Sequence, residues 1–140
     1  MKVKIKKLHE DAIIPQYAKY GDAGVDLTAT DMWFEKGNVC YGTGLSIEIP
    51  HGYVGLLFPR SSNAKKDLLL CNAVGVIDSG YRGEIIAKFK ITEKDGFRIY
   101  NINDRVCQLI ILPYPKIEFI ETDELSETSR GEGGFGSTGL

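Results

Sequence analysis

Residues Gly44–Pro59 read "GLSIEIPHGYVGLLFP". Two short apolar runs, Gly44–Pro50 and Tyr53–Pro59, flank His51-Gly52, and this spacing predicts a compact β-hairpin. The same punctuation continues outward through "DLLLCNAVGVI" (67–77), "EIIAKFKI" (84–91), "FRIYNI" (97–102) and "RVCQLIILP" (105–113). Short strands at such intervals predict an all-β sandwich or barrel. Ile85–Ile91 and Val106–Leu112 read as strands with much of both faces buried. Near the start, "KVKIKK" (2–7) reads as a strand whose lysines discourage edge-to-edge pairing. Helix is scarce: "SSNAKKDL" (Ser61–Leu68) offers a serine N-cap and a turn or two.

The chain has 140 residues, 43% hydrophobic and 26% charged, enough for one domain around one core. Residues 1–121 form the expected core, and 122–140, polar and then glycine-rich, the expected flexible arm. A net charge of −2 argues against a nucleic-acid duplex as partner, since such binders carry a broad basic surface. A small polyanion needs only a few local cations. The opening "MKVKIKKLHE" lacks the unbroken apolar core of a signal peptide, and no apolar run approaches the ~20 residues of a membrane helix. Cys40, Cys71 and Cys107 are widely spaced, with no C-x-x-C pair, so neither a zinc site nor a disulfide framework is expected. A cytoplasmic setting follows as the default, with Cys71 and Cys107 filling the core.

Five islands carry residue types suited to chemistry. In "GDAGVDLTA" (Gly21–Ala29), glycines flank Asp26, and the plainer reading is an Asx turn. In "PRSSNA", Arg60, Ser61 and Ser62 stand where a strand yields to a helix start, which suits an anion; the plainer reading is a cap and a surface arginine. In "NAVGVIDSGYRGE" (Asn72–Glu84), Asp78 precedes a tight Ser79-Gly80 turn and could act as a general base or merely form the turn. Tyr81 could stack or pack. In "NDRVCQLIILP", Gln108 lies in an apolar strand and needs a partner, while Asp104-Arg105 reads as a structural ion pair. The end, "RGEGGFGSTGL", nearly fits the phosphate loop G-x-x-x-x-G-K-[ST], with Ser137 where the lysine belongs. It offers Arg130, Phe135, Gly136, Ser137 and Thr138: a cation, an aromatic face and two hydroxyls among glycines.

In this order the five islands, AGVDLTA, PRSSNA, GVIDSGYRGE, RVCQ and RGEGGFGSTG, resemble the trimeric dUTPase family over nearly the whole chain. The resemblance implies a distorted β jelly roll and a homotrimer whose active sites each draw on three subunits. It implies hydrolysis of dUTP to dUMP and pyrophosphate, which keeps uracil out of DNA and supplies dUMP for thymidylate synthesis. Asp78 would activate the water attacking the α-phosphorus. Asn72 and backbone groups of an Asn72–Tyr81 hairpin, at Gly75, Val76 and Ile77, would read the uracil edge. Tyr81 would exclude a 2′-hydroxyl. Arg60 and Ser61, with Ser62 as a helper, would meet the phosphates, and Gln108 would reach the α-phosphate from another subunit. The arm would close as a lid: Arg130, Gly136, Ser137 and Thr138 on the γ-phosphate, Phe135 over the uracil. Mg²⁺ would be held mainly by phosphates and water, with Asp26 supporting it through water.

Two other readings are available. A dCTP deaminase of the same fold would place a glutamate where this chain has Lys88, and a lysine cannot do that work. A non-enzymatic trimeric binding or regulatory module would leave unexplained why Arg60, Gln108, Arg130 and Ser137 all suit one triphosphate.

Overall fold

The computed structural model describes residues 1–136. Ten strands form among them: β1 (Lys4–Lys7), β2 (Val25–Thr28), β3 (Asp31–Glu35), β4 (Asn38–Gly42), β5 (Leu45–Glu48), β6 (Tyr53–Pro59), β7 (Leu68–Leu70), β8 (Gly75–Ile77), β9 (Ile86–Ile91) and β10 (Arg105–Pro113). Every pairing is antiparallel. One four-stranded sheet runs β2-β10-β6-β8, a second runs β3-β4-β9-β7, and β1 pairs with β5 alone. Leu27, Leu57, Ile77 and Leu109 of the first sheet meet Val39, Tyr41, Leu68, Leu70, Ala87 and Phe89 of the second in one buried cluster. Alternation along each strand sends these side chains inward. The result is the expected jelly roll, distorted by short strands.

The strand runs were legible, but their pairing was not. β5 and β6 are joined by a tight turn, with the Tyr53 N–H donating to Pro50 O at 3.1 Å and Gly52 at φ +83°. They then part: β5 pairs with β1, and β6 with β10 and β8. The predicted hairpin is therefore a corner between sheets. β7 and β8 part in the same way, so the Asn72–Tyr81 hairpin is a lone short strand between two turns. "FRIYNI" forms no strand; among the described residues its one long-range backbone bond runs from the Asp67 N–H to Arg98 O at 2.9 Å, and side chains take most of the others. Asp67 accepts the Arg98 N–H at 2.6 Å, and the Tyr41 hydroxyl accepts the Tyr100 N–H at 3.1 Å. β9 buries one face rather than two; Ile86 and Lys90 are exposed. The helix is a 3-10 helix, Ser61–Lys65, whose N-cap is Arg60 with no side-chain cap bond, not a serine. The β3–β4 hairpin was missed. Its loop, Lys36-Gly37, has both residues at positive φ, 48° and 78°, as a two-residue I′-like turn requires. β10 closes the sheets at Pro113, and no strand or helix follows through residue 136.

Candidate active site

Leu57 of β6 and the start of β8 frame the first part of the site. Gly75 lies opposite Leu57, where an added Cβ would come 3.0 Å from Leu57 Cβ and 3.4 Å from Asn72 Nδ2. An added methyl would thus press on Leu57 while reaching the Asn72 amide at an ordinary contact distance. β8 ends in a β-turn, with the Tyr81 N–H donating to Asp78 O at 3.0 Å. Arg82 Nη1 steadies the turn by donating to Ser79 O at 2.7 Å and Tyr81 O at 2.9 Å. The Tyr81 hydroxyl donates to Glu84 O at 2.9 Å. Asn72, Gly75, Val76, Ile77, Asp78 and Tyr81 all line one cleft of about 200 Å³. The Asp78 residue is exposed. The structure thus brings these six residues to one cleft.

Arg60, at the end of β6, belongs to a second group. Its Nε donates to Asp26 Oδ1 at 2.7 Å and its Nη2 to Asp26 Oδ2 at 3.0 Å. Its Nη1 donates to Ser62 Oγ at 3.0 Å and to Arg105 O at 3.3 Å. Arg105 Nη1 lies 3.1 Å from Asp26 Oδ2. Asp26 therefore sits within β2 as the shared counter-ion of two arginines, not in an Asx turn. The expected Asp104–Arg105 pair does not form; Asp104 Oδ2 accepts the Asn101 N–H at 2.8 Å.

A bulge in β10 makes this arrangement possible. Arg105 pairs with Thr28 and Cys107 with Leu27, so Val106 is an extra residue in the ladder. In a regular strand Arg105 and Gln108 would point to opposite faces. The extra residue turns both toward Asp26 and sends Val106 and Cys107 inward, each fully buried. Two adjacent apolar residues between Arg105 and Gln108 were the signal for it. Gln108 Nε2 donates to Pro59 O at 3.0 Å, which satisfies the amide. Burial pushes the Cys107 thiol up to about 12, so it fills space beneath the cluster as an unreactive group. Cys71, expected in the core, is exposed instead.

The groups remain separate within one chain. Arg60 and Ser62 line a pocket of about 310 Å³ with Lys66, Tyr100, Asn103, Asp104 and Arg105. Asp26 and Gln108 line a larger pocket, about 610 Å³, which Arg105 also borders. Ser61 is exposed. A five-residue 3-10 helix has little macrodipole, so anion attraction here rests on side chains. Arg130 is exposed, its Nε donating to Gly133 O at 2.9 Å; Phe135 is fully exposed, and Gly136 has φ +85°. Ser137 and Thr138 lie outside the described residues. Lys66, Tyr100 and Arg105 were not among the predicted site residues; only their neighbours in space mark them. The described residues hold no group of three or more His, Cys, Asp or Glu able to bind a metal.

A jelly roll with a turn-borne carboxylate in one cleft and a guanidinium cluster beside another defines a β domain with two separate polar groups. The chain belongs to the dUTPase family, whose model matches residues 10–139. It is 42% identical to the deoxyuridine 5'-triphosphate nucleotidohydrolase of Hydrogenobaculum sp., covering 100% of this chain and 99% of that protein. Identity to the enzyme of the same name from Desulfitobacterium hafniense is 45%, over 100% and 97%. A mutant dUTPase of Staphylococcus bacteriophage 80alpha with dUpNHpp superposes at a TM-score of 0.86 and 27% identity, covering 99% of both chains. A mutant dUTPase from phage phi11 of S. aureus, described with a coordinated structural Mg(II) ion, superposes at 0.75 and 26% identity, over 89% of this chain and 98% of that one.

Proposed function

We propose that this protein hydrolyses dUTP to dUMP and pyrophosphate. The observation that carries the reading is the single cleft lined by Asn72, Gly75–Asp78 and Tyr81. Backbone groups of β8 and the Asn72 amide would hydrogen-bond the uracil edge, and the Tyr81 ring would lie where a 2′-hydroxyl would project. Asp78 would orient a water and take its proton as the water oxygen bonds to the α-phosphorus. The bond to the α–β bridging oxygen breaks, and pyrophosphate leaves. A carboxylate is a weak base, so positioning and charge stabilisation supply most of the rate.

Mg²⁺, when bound, neutralises phosphate charge, and its ligands here would come mainly from the phosphates and water. Both Asp26 oxygens already carry guanidinium groups, so any bond to metal-bound water would add to these. Arg60 and Ser61, helped by Ser62, face the phosphate side, and the arm of Arg130, Phe135, Gly136, Ser137 and Thr138 would close over the nucleotide.

The complete site needs more than one chain. Gln108 lies opposite Phe58, and Ile77 opposite Gly55, with β6 between β10 and β8. Two strand spacings and four residues of offset put the Cα atoms of Gln108 and Asp78 roughly 16 Å apart. One α-phosphate cannot touch both within one chain, which favours a shared site in a homotrimer.

Asp78→Asn tests the assignment. It should bind dUTP and lose turnover by a factor on the order of 10²–10⁴; near-normal turnover would sink it. Wild-type protein offered dUTP, dCTP, dTTP and UTP should release pyrophosphate from dUTP alone. Ammonia from dCTP would favour the deaminase, although Lys88 is tied to Glu35 at 2.7 Å.

A further inference from the structure

We infer that Glu84 is a positioning residue for sugar discrimination: its carboxylate, docked on the Gly44 N–H, holds the Tyr81 ring in the cleft. This deepens the dUTP reading above and rests on it. Segment 82–85 carries the cleft wall back from the Asp78–Tyr81 turn to β9, yet belongs to no strand. It is fastened instead to residues 43–46, the corner where β4 passes into β5. Ser46 Oγ donates to Arg82 O at 2.7 Å. The Ile85 N–H donates to Leu45 O at 2.9 Å, and Ile85 O accepts the Thr43 hydroxyl at 2.7 Å. Thr43 and Ser46 are buried, so two hydroxyls leave water to serve this one segment.

Glu84 makes the bond that bears on Tyr81. Its Oε1 accepts the Gly44 N–H at 2.7 Å, while its own carbonyl accepts the Tyr81 hydroxyl at 2.9 Å. One side chain and one peptide thus link the ring to the corner. Gly44 is a firm anchor. Its carbonyl accepts the Leu8 N–H at 2.7 Å, its φ is +65°, and Ala12, Thr30 and His9 crowd the space where a Cβ would stand. The carboxylate has room to reach it because Gly42 carries no side chain; a Cβ there would come 2.7 Å from Glu84 Oε1.

Glu84 lines the same cleft as Asn72, Asp78 and Tyr81. A ring can reject a 2′-hydroxyl only if it does not give way. Tyr81 rests against the bare Gly83 but is 45% exposed, so solvent leaves it room to swing outward. Among the described residues, its hydroxyl bond to Glu84 O is the polar tether of the ring, and that carbonyl is set by the carboxylate bond to Gly44.

The test is the ratio of kcat/KM for UTP to that for dUTP, measured on the full chain together with Tm. This ratio does not depend on how much of a sample is folded, so a merely structural role would not move it. Glu84→Ala should raise the ratio about threefold. Glu84→Gln, whose amide oxygen can still accept the Gly44 N–H, should restore the wild-type ratio. Gly42→Ala reaches the same bond without removing the carboxylate. Its methyl displaces the end of a flexible side chain and otherwise meets Trp33 Cζ3 at 3.4 Å and Asp31 Cβ at 3.5 Å. It should therefore fold and raise the ratio likewise, and it carries the test if Glu84→Ala does not fold. Both substitutions together should match Glu84→Ala alone, since no carboxylate is left to displace. A wild-type ratio in folded Glu84→Ala or Gly42→Ala, with only Tm lowered, overturns the inference while the enzyme reading stands. Wild-type protein that turns over neither nucleotide overturns both.

Discussion

Gly83 shows how much of this site is decided by single atoms. A Cβ placed there falls against the Tyr81 ring, 2.5 Å from Cζ and 2.9 Å from Cε2. The ring lies over the bare glycine, and its hydroxyl is tied to Glu84 O. That contact fixes the surface proposed to exclude a 2′-hydroxyl. Gly83→Ala should displace the ring and raise the ratio of kcat/KM for UTP to that for dUTP by about tenfold, a loss of discrimination worth ~1.4 kcal/mol. An unchanged ratio in a folded variant would remove Tyr81 from the specificity role. Other residues gain meaning only through a partner. Asp26 read as a turn former until β2 placed it between Arg60 and Arg105. Tyr41 fills the core, yet its hydroxyl serves Tyr100 as a ladder strand would. Burial pushes that phenol up to about 12, so it stays a donor at any ordinary pH.

At the level of elements, segment 97–100 is held to the core mostly by side chains, with one backbone bond from the Asp67 N–H to Arg98 O at 2.9 Å. Asp67 accepts the Arg98 N–H at 2.6 Å, Nε at 3.2 Å and Nη2 at 3.0 Å. The side-chain bond to Arg98 is the chief cause that holds the Asp67 carboxyl below the usual range. A carboxyl with a lowered folded pKa stabilises the fold above its unfolded pKa and loses that contribution as pH falls through the folded one. Asp67→Asn should therefore melt below wild type at pH 7, with the gap closing as the pH is lowered through the acidic range. A gap that stays constant to pH 2 would show the pair adds nothing through charge. This segment also marks where the sequence stopped being legible. "FRIYNI" alternates like a strand, and no local pattern announces that Asp67 and Tyr41, distant in sequence, will take its backbone bonds. β5 and β6 failed in the same way: the turn at Gly52 was readable, but the choice of ladder partner depends on β1 and β10. Much of what is local was legible, including most strands and a short helical turn, though the β3–β4 hairpin at Lys36-Gly37 was missed. The β10 bulge could have been read as well, from Val106 and Cys107 side by side.

Across the whole molecule, the unfinished feature is the outer face of the β2-β10-β6-β8 sheet. Register places Val54, Leu56, Phe58, Val76, Ile110 and Leu112 on that face, beside Asp26 and Gln108. None of these is fully buried, and Val76 is 66% exposed. An apolar sheet face without a partner is costly in water, and here it adjoins half of the proposed site. A second copy covering it would hide the apolar residues and bring a partner's Gln108 and Arg105 toward Asp78 in one event. The arm would then be the third contribution, since residues 114–136 form no strand or helix on their own chain. Subunit mixing tests this directly. Asp78→Asn and Arg130→Ala chains should each be nearly inactive alone. Co-assembled in equal amounts, they should recover activity, because a site takes Asp78 from one chain and Arg130 from another. With random assortment about a quarter of sites would receive both intact groups, as two independent choices from a symmetric ring require. Turnover by the co-assembled sample that stays at the level of the separate variants would mean each site is built within one chain. The roughly 16 Å between Gln108 and Asp78 would then have to close by a rearrangement of the sheet, which antiparallel ladders on both sides of β6 oppose.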